Sequence, residues 1–191
     1  MADKRPVVLA FAGPNGSGKT TVTHALSSFG TYVNADDLKK EYNLTDFEAA
    51  RQAELIRENL LSKGADFSFE TVLSTERNLL LLEKAKALRY EVQCVYVLTC
   101  NENINVARVR ARKAVGGHDV PEDKIRIRYR RALALLPHLI GLCDKILVYD
   151  NSGDQPELIF TKTNAQAELF PSTFWSLSAL RKLLGYGAPL S

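Results

Sequence analysis

Residues 13–20 read Gly-Pro-Asn-Gly-Ser-Gly-Lys-Thr, the G-x-x-x-x-G-K-[ST] spacing of a loop that wraps phosphate. The residue types state the chemistry. Glycine at Gly13, Gly16 and Gly18 lets the backbone turn its amides toward an anion, Lys19 reaches terminal phosphates, and the Thr20 hydroxyl is the expected Mg²⁺ ligand. The expected ATP contacts are therefore Gly13, Pro14, Asn15, Gly16, Ser17, Gly18, Lys19, Thr20 and Thr21. Such a loop needs a strand before it and a helix after it. The apolar run Pro6–Ala12 supplies the first, and Thr20–Phe29 the second, with its positive end toward the phosphates.

Further strands and helices alternate behind this unit. Thr31–Asn34, Asp66–Leu73, Glu91–Cys100 and Asp144–Tyr149 read as strands; Asp46–Lys63, Glu76–Arg89, Asn101–Ala114 and Pro121–Leu136 read as helices. Alternation of this kind demands parallel pairing with right-handed crossovers, hence a three-layer α/β sandwich with a five-stranded parallel sheet. Leu158–Thr161 and Gln166–Phe170 predict a hairpin and Ser172–Leu184 a last helix, both expected to cover the sheet edge, with Trp175, Leu177, Leu180 and Leu184 on its packing face. No linker or composition shift divides the 191 residues, so 1–191 reads as a single domain with a lid over 104–131 and a hairpin–helix tail over 154–191.

Three cysteines, Cys94, Cys100 and Cys143, are far apart and odd in number, which indicates neither a disulfide framework nor a zinc site. The short apolar N-terminal run feeds straight into the phosphate loop, so cleavage after it would destroy the loop, and the cytosol is the expected compartment. No stretch is long and apolar enough to predict a membrane partner. Net charge is +3, but Arg108–Arg131 holds nine Lys/Arg against three Asp/Glu, so one segment is basic in a chain otherwise slightly acidic.

Ligands of open parallel sheets sit beyond the carboxyl ends of the strands. Asp36 and Asp37 follow strand two and Glu70 ends strand three, so a carboxylate here can take the proton of an attacking hydroxyl. Asp36 is the expected base and Asp37 a helix-capping acid. Glu70 stands among Phe67, Phe69, Val72 and Leu73, where a carboxylate needs a cation, a ligand or hydrogen-bond donors. Arg108 and Arg112 share one helix face, Arg126 and Arg130 another, and Gly116-Gly117 joins the two. That pattern predicts a lid whose Arg108 and Arg112 serve catalysis and whose Arg126 binds ATP; His118 in the same loop receives no role.

Gly13–Thr20, Val33-Asn34-Ala35-Asp36, Phe69–Ser74 and the Arg108–Arg131 segment with Gly-Gly-His-Asp-Val-Pro, in this order, resemble the zeta-toxin family of P-loop kinases, in particular its short chromosomal branch. The resemblance covers roughly residues 6–150. It implies an adenylate-kinase-like P-loop NTPase core with strand order 2-3-1-4-5, and ATP/Mg-dependent phosphorylation of a UDP-N-acetyl-amino-sugar at a sugar hydroxyl, UDP-N-acetylglucosamine leading. It also implies a small antitoxin as partner. By position it assigns Asp36 as the catalytic aspartate and Asp36, Lys39, Glu70, Thr71 and Ser74 as the acceptor contacts. Two of these depart from the family pattern, since Lys39 and Ser74 stand where it has arginines, which removes the planar fork that grips phosphate. A nucleoside or polynucleotide 5′-hydroxyl kinase and a nucleotide-gated switch without an acceptor remain alternatives, with nucleic acid the less expected partner.

Overall fold

The computed structural model describes residues 5–23, 29–117 and 120–185. Seven strands form one sheet: β1 (Val7–Ala12), β2 (Thr31–Val33), β3 (Phe67–Thr71), β4 (Glu91–Leu98), β5 (Lys145–Asp150), β6 (Glu157–Thr163) and β7 (Gln166–Leu169). Their order is β2-β3-β1-β4-β5-β6-β7. The first five are parallel, in the expected 2-3-1-4-5 order, and place the ends of β1, β3 and β4 side by side, with Ala12 opposite both Thr71 and Tyr96.

The tail differs from expectation. The hairpin β6–β7 does not lie over the edge but continues the sheet, β6 pairing antiparallel with β5 from Lys145↔Thr163 to Asp150↔Glu157. A parallel fifth strand left as an edge would expose a row of unpaired backbone groups, and β6 satisfies them. The last helix, α7, is shorter than expected, Leu177–Leu183, capped by Ser176. Trp175 precedes it, packs against the core and donates its indole N–H to the Asp150 carboxylate at the end of β5, and Leu180 and Leu184 are buried as expected, whereas Leu177 is 55% exposed.

Helices α3 (Asp46–Ser62), α4 (Arg77–Ala87), α6 (Glu122–Leu142) and α7 share one sheet face, through Ala53, Leu61, Leu79, Leu82, Leu136, Leu139 and Leu180. Alternation decides which strand residues meet them: Val8, Ala10 and Ala12 of β1 point there, while Phe11 points to the other face with Val22, Val95 and Val97. That other face carries α1 (Lys19–Thr23); residues 24–28 of the helix expected over Thr20–Phe29 lie outside the described ones, and Phe29 itself is not helical. α6 runs past the expected Leu136 through Pro137 because Leu139 and Ile140 continue its buried stripe. α5 (Glu102–Ala114) and α6 hold each other through a separate small core of Val106, Val109, Val120 and Ile125.

An eight-residue helix, α2 (Ala35–Tyr42), occupies the stretch expected only to connect β2 with α3. Its start is written locally. Asn34 accepts a hydrogen bond from the Asp36 amide at 2.9 Å, Asp36 and Asp37 lie in the first turn near the positive helix end, and Asn43 in left-handed conformation stops it.

Candidate active site

The phosphate loop leaves β1 where its neighbours end. Gly13 donates its amide to the Thr71 carbonyl of β3 at 3.2 Å, and a Cβ at Gly13 would stand 2.0 Å from the Val97 carbonyl oxygen of β4, so only glycine fits. Two buried asparagines then hold the loop from behind. Asn105 of α5 donates to the Asn15 carbonyl at 2.6 Å and accepts from Thr99. Asn151, just past β5, donates to the Ser17 carbonyl at 2.8 Å, and its amide is so close to Gly18 that a Cβ there would stand 2.0 Å away. Neither asparagine lines the cavity in front of the loop, so these carbonyls point away from it.

That cavity, about 500 Å³, lies between the loop, α2, the start of α3, the end of β3, and the lid helices α5 and α6. Lys19 lines it and donates to the carbonyls of Gly13 at 2.8 Å and Pro14 at 3.2 Å. Burial pulls the Lys19 ammonium down to about 8, against the opposing pull of Glu70 and then Asp36, while Arg112 lowers it further. Lys19 and the two carboxylates thus sense each other across one space.

Of the other expected residues, Asn15, Gly16, Gly18, Thr20, Asp36, Lys39, Glu70, Thr71, Arg108 and Arg112 line the cavity. Gly13, Pro14, Ser17 and Thr21 belong to the loop and first helix without lining it, and Ser74 lies off its wall. Arg126 also faces elsewhere. It bonds Glu122 at 2.7 Å, Glu102 at 3.1 Å and Asn103 at 2.8 Å, and Arg130 likewise joins Glu102, so this arginine ladder ties α6 to α5. The α6 arginine on the wall is Arg128, which meets the Asn15 side chain at 3.4 Å. Arg108 is fixed by the Asn151 carbonyl at 2.7 Å. His118 and Asp119 lie outside the described residues.

On the far wall Glu70 finds the donor its sequence environment required. The Tyr32 hydroxyl, on edge strand β2, donates to Glu70 Oε1 at 2.8 Å and accepts from Asn34 Nδ2 at 3.2 Å, while Asn34 Oδ1 caps the Asp36 amide. Burial and then the Glu70 bond raise the Tyr32 phenol well above its ordinary range, so it stays a donor. Lys39 forms an ion pair with Asp46 at 2.6 Å.

Sequence reasoning missed Tyr32, Asp46, Asn105, Arg128 and Asn151. Only Asn151 carried a signal, its place directly after a parallel strand. The residues present fit a nucleotide with its magnesium, because the cavity gathers the cations Lys19, Arg108, Arg112 and Arg128 with Thr20 beside the glycines Gly16 and Gly18. Among the described residues no cluster of three or more His, Cys, Asp or Glu could hold a metal alone, so a cation here would take Thr20 and phosphate oxygens.

Residues 1–156 match the family model described as Zeta toxin. A Haemophilus influenzae protein, described as uncharacterized, is 28% identical over 125 residues, which are 62% of this chain and 89% of its own. Among solved structures, the AvrRxo1-ORF1:AvrRxo1-ORF2 complex with ATP contains a chain with TM-score 0.73 and 14% identity, over 98% of this chain and 66% of that one. A chain of the PezAT chromosomal toxin–antitoxin system of Streptococcus pneumoniae gives 0.60 and 19%, over 98% and 85%. At these identities the likeness is one of fold. The native AvrRxo1 chain is matched over 61% of its length, so this chain spans less than two thirds of that relative.

Proposed function

The chain belongs to the zeta-toxin family, and from that membership and the layout of the cavity we propose that it moves the γ-phosphoryl group of ATP to a hydroxyl of an amino-sugar acceptor, with UDP-N-acetylglucosamine as the reference compound. One observation carries the reading: a phosphate-loop lysine shares a single cavity with two carboxylates from the other wall, Asp36 and Glu70. A nucleotide switch has no use for acceptor-side carboxylates, whereas a kinase needs a group there to orient the hydroxyl and take its proton.

Magnesium would supply charge neutralisation on the phosphates, held from the protein side by Thr20. The chain's own residues do the rest. Lys19 and the loop amides hold the donor phosphates, and Glu70, fixed by Tyr32, orients the acceptor. Asp36 takes the hydroxyl proton as the acceptor oxygen bonds to the γ-phosphorus; the bond to the bridging oxygen breaks and ADP leaves. Arg108, Arg112 and Arg128 supply positive charge to the transferred group. A small antitoxin that covers the cavity is part of the same reading, by analogy with the PezAT relative.

Asp36→Asn tests it. The substitution keeps shape and loses the proton acceptor, so transfer falls about 10²–10⁴-fold with ATP affinity retained. Asp37, which does not line the cavity, tolerates the same change. Equal losses from both, or a loss of ATP binding alone, would remove Asp36 from the role of base.

A further inference from the structure

One buried acid has no part in the transfer. Asp150, the last residue of β5, is 1% exposed, and among the described residues no lysine or arginine pairs with it. Its carboxylate takes two hydrogen bonds instead, from the Ser152 amide at 2.6 Å and from the Trp175 indole N–H. A buried carboxylate needs such donors. These two come from different parts of the chain: Ser152 from the loop 151–153 that follows β5, Trp175 from the tail.

The loop 151–153 joins the phosphate loop to α5. Asn151 donates to the Ser17 carbonyl at 2.8 Å, and Arg108 of α5 donates to the carbonyls of Asn151 at 2.7 Å and Gly153 at 3.5 Å. Arg108 thereby stands beside the phosphate loop, 3.9 Å from where a Cβ at Gly18 would sit. The tail closes on the same loop from outside. The Phe174 ring lies 3.2 Å from where a Cβ at Gly153 would sit, and Glu157 of β6 accepts from the Thr173 amide at 3.1 Å and hydroxyl at 2.6 Å. The family match ends at residue 156, so Thr173, Phe174 and Trp175 reach the loop from chain beyond it.

A carbonyl aims a guanidinium only as well as its own backbone is held, and a short loop after a strand is held by its contacts. Resting on the nucleotide-site part of the phosphotransfer reading, we propose that Trp175 is a positioning residue for ATP: through Asp150 it fixes the loop whose asparagine braces the phosphate loop and whose carbonyls aim Arg108 into the cavity. Trp175 does not line the cavity itself. Its indole N–H carries the effect, and its ring packs against the core.

Trp175→Phe keeps an aromatic ring and removes the N–H. Calorimetry on the full chain with Mg²⁺ and a non-hydrolysable ATP analogue should show Kd raised about fivefold or more. Leu180→Ala, which removes a core contact of the same tail, should lose at least as much thermal stability and keep Kd within about twofold. An unchanged Kd in folded Trp175→Phe overturns the proposal. An equal rise in Leu180→Ala also overturns it, because the tail would then act on the site only through stability. Should Trp175→Phe not fold, Phe174→Ala decides, since that ring is 40% exposed: a raised Kd supports the tail's hold on the loop, and an unchanged one overturns it. If the unaltered chain does not bind the analogue, the nucleotide reading falls and the proposal with it; if it binds and Trp175→Phe binds as well, the proposal alone falls.

Discussion

On the proposed donor side of the cavity the chain offers a glycine-rich loop and braces its backbone with buried asparagines; on the proposed acceptor side it relies on side chains of an edge strand and a short exposed helix. Asn105 is fully buried and Asn151 nearly so, and they contact the loop backbone across 90 and 134 residues of sequence. Tyr32 is 38% exposed, and α2 has no buried residue. The difference teaches where change is tolerated. A phosphate site made of backbone and buried braces cannot be altered without disturbing the core, whereas an edge-strand relay is altered by exchanging surface side chains. One fold can thereby keep its donor and change its acceptor.

The largest effect expected on this contrast is on the donor side. Lys19→Ala should lower phosphoryl transfer by about 10³-fold or more while circular dichroism stays native, because the charge serves the phosphates and not the packing. Full transfer in the folded variant would remove the loop from the chemistry.

Asn151→Ala should combine lost stability with lost ATP affinity, since it strips the buried Ser17 carbonyl of its donor. A deficit of about 1–3 kcal/mol in urea unfolding is expected, with weaker ATP binding measured by calorimetry. Normal ATP affinity in the destabilised variant would show that the brace is merely structural.

The depressed lysine gives the donor side a pH limit. A lysine pulled down to about 8 loses its charge as pH rises through that value instead of near 10.5, and only the charged form attracts phosphate. The kcat/KM for ATP should therefore be flat below about pH 7 and fall by about tenfold per unit above pH 8. Lys19→Arg should move this limb upward, because a guanidinium keeps its charge.

Smallest is the acceptor relay. Tyr32→Phe removes one exposed hydrogen bond from Glu70, so KM for the acceptor should rise about 2–10-fold with KM for ATP unchanged. An equal rise in both would contradict the division of the cavity into two differently built sides.

The phosphate loop, its strand and the parallel core were legible in the sequence, because each rests on short-range pattern: glycine spacing, apolar runs, strand–helix alternation. The family was legible only as a resemblance, from four motifs in a fixed order. Asp36 and Glu70 were legible too, as polar residues at strand ends. What the sequence could not decide was everything set by distance across the fold. Arg126 and Arg128 are two residues apart on one helix, and only the packing of α6 on α5 turns Arg128 to the cavity and Arg126 to Glu102. The hairpin's place in the sheet depended on which edge had backbone groups to satisfy. Asn105 and Asn151 meet the loop only because parallel strands end side by side, so their partners are neighbours in the sheet and strangers in the chain.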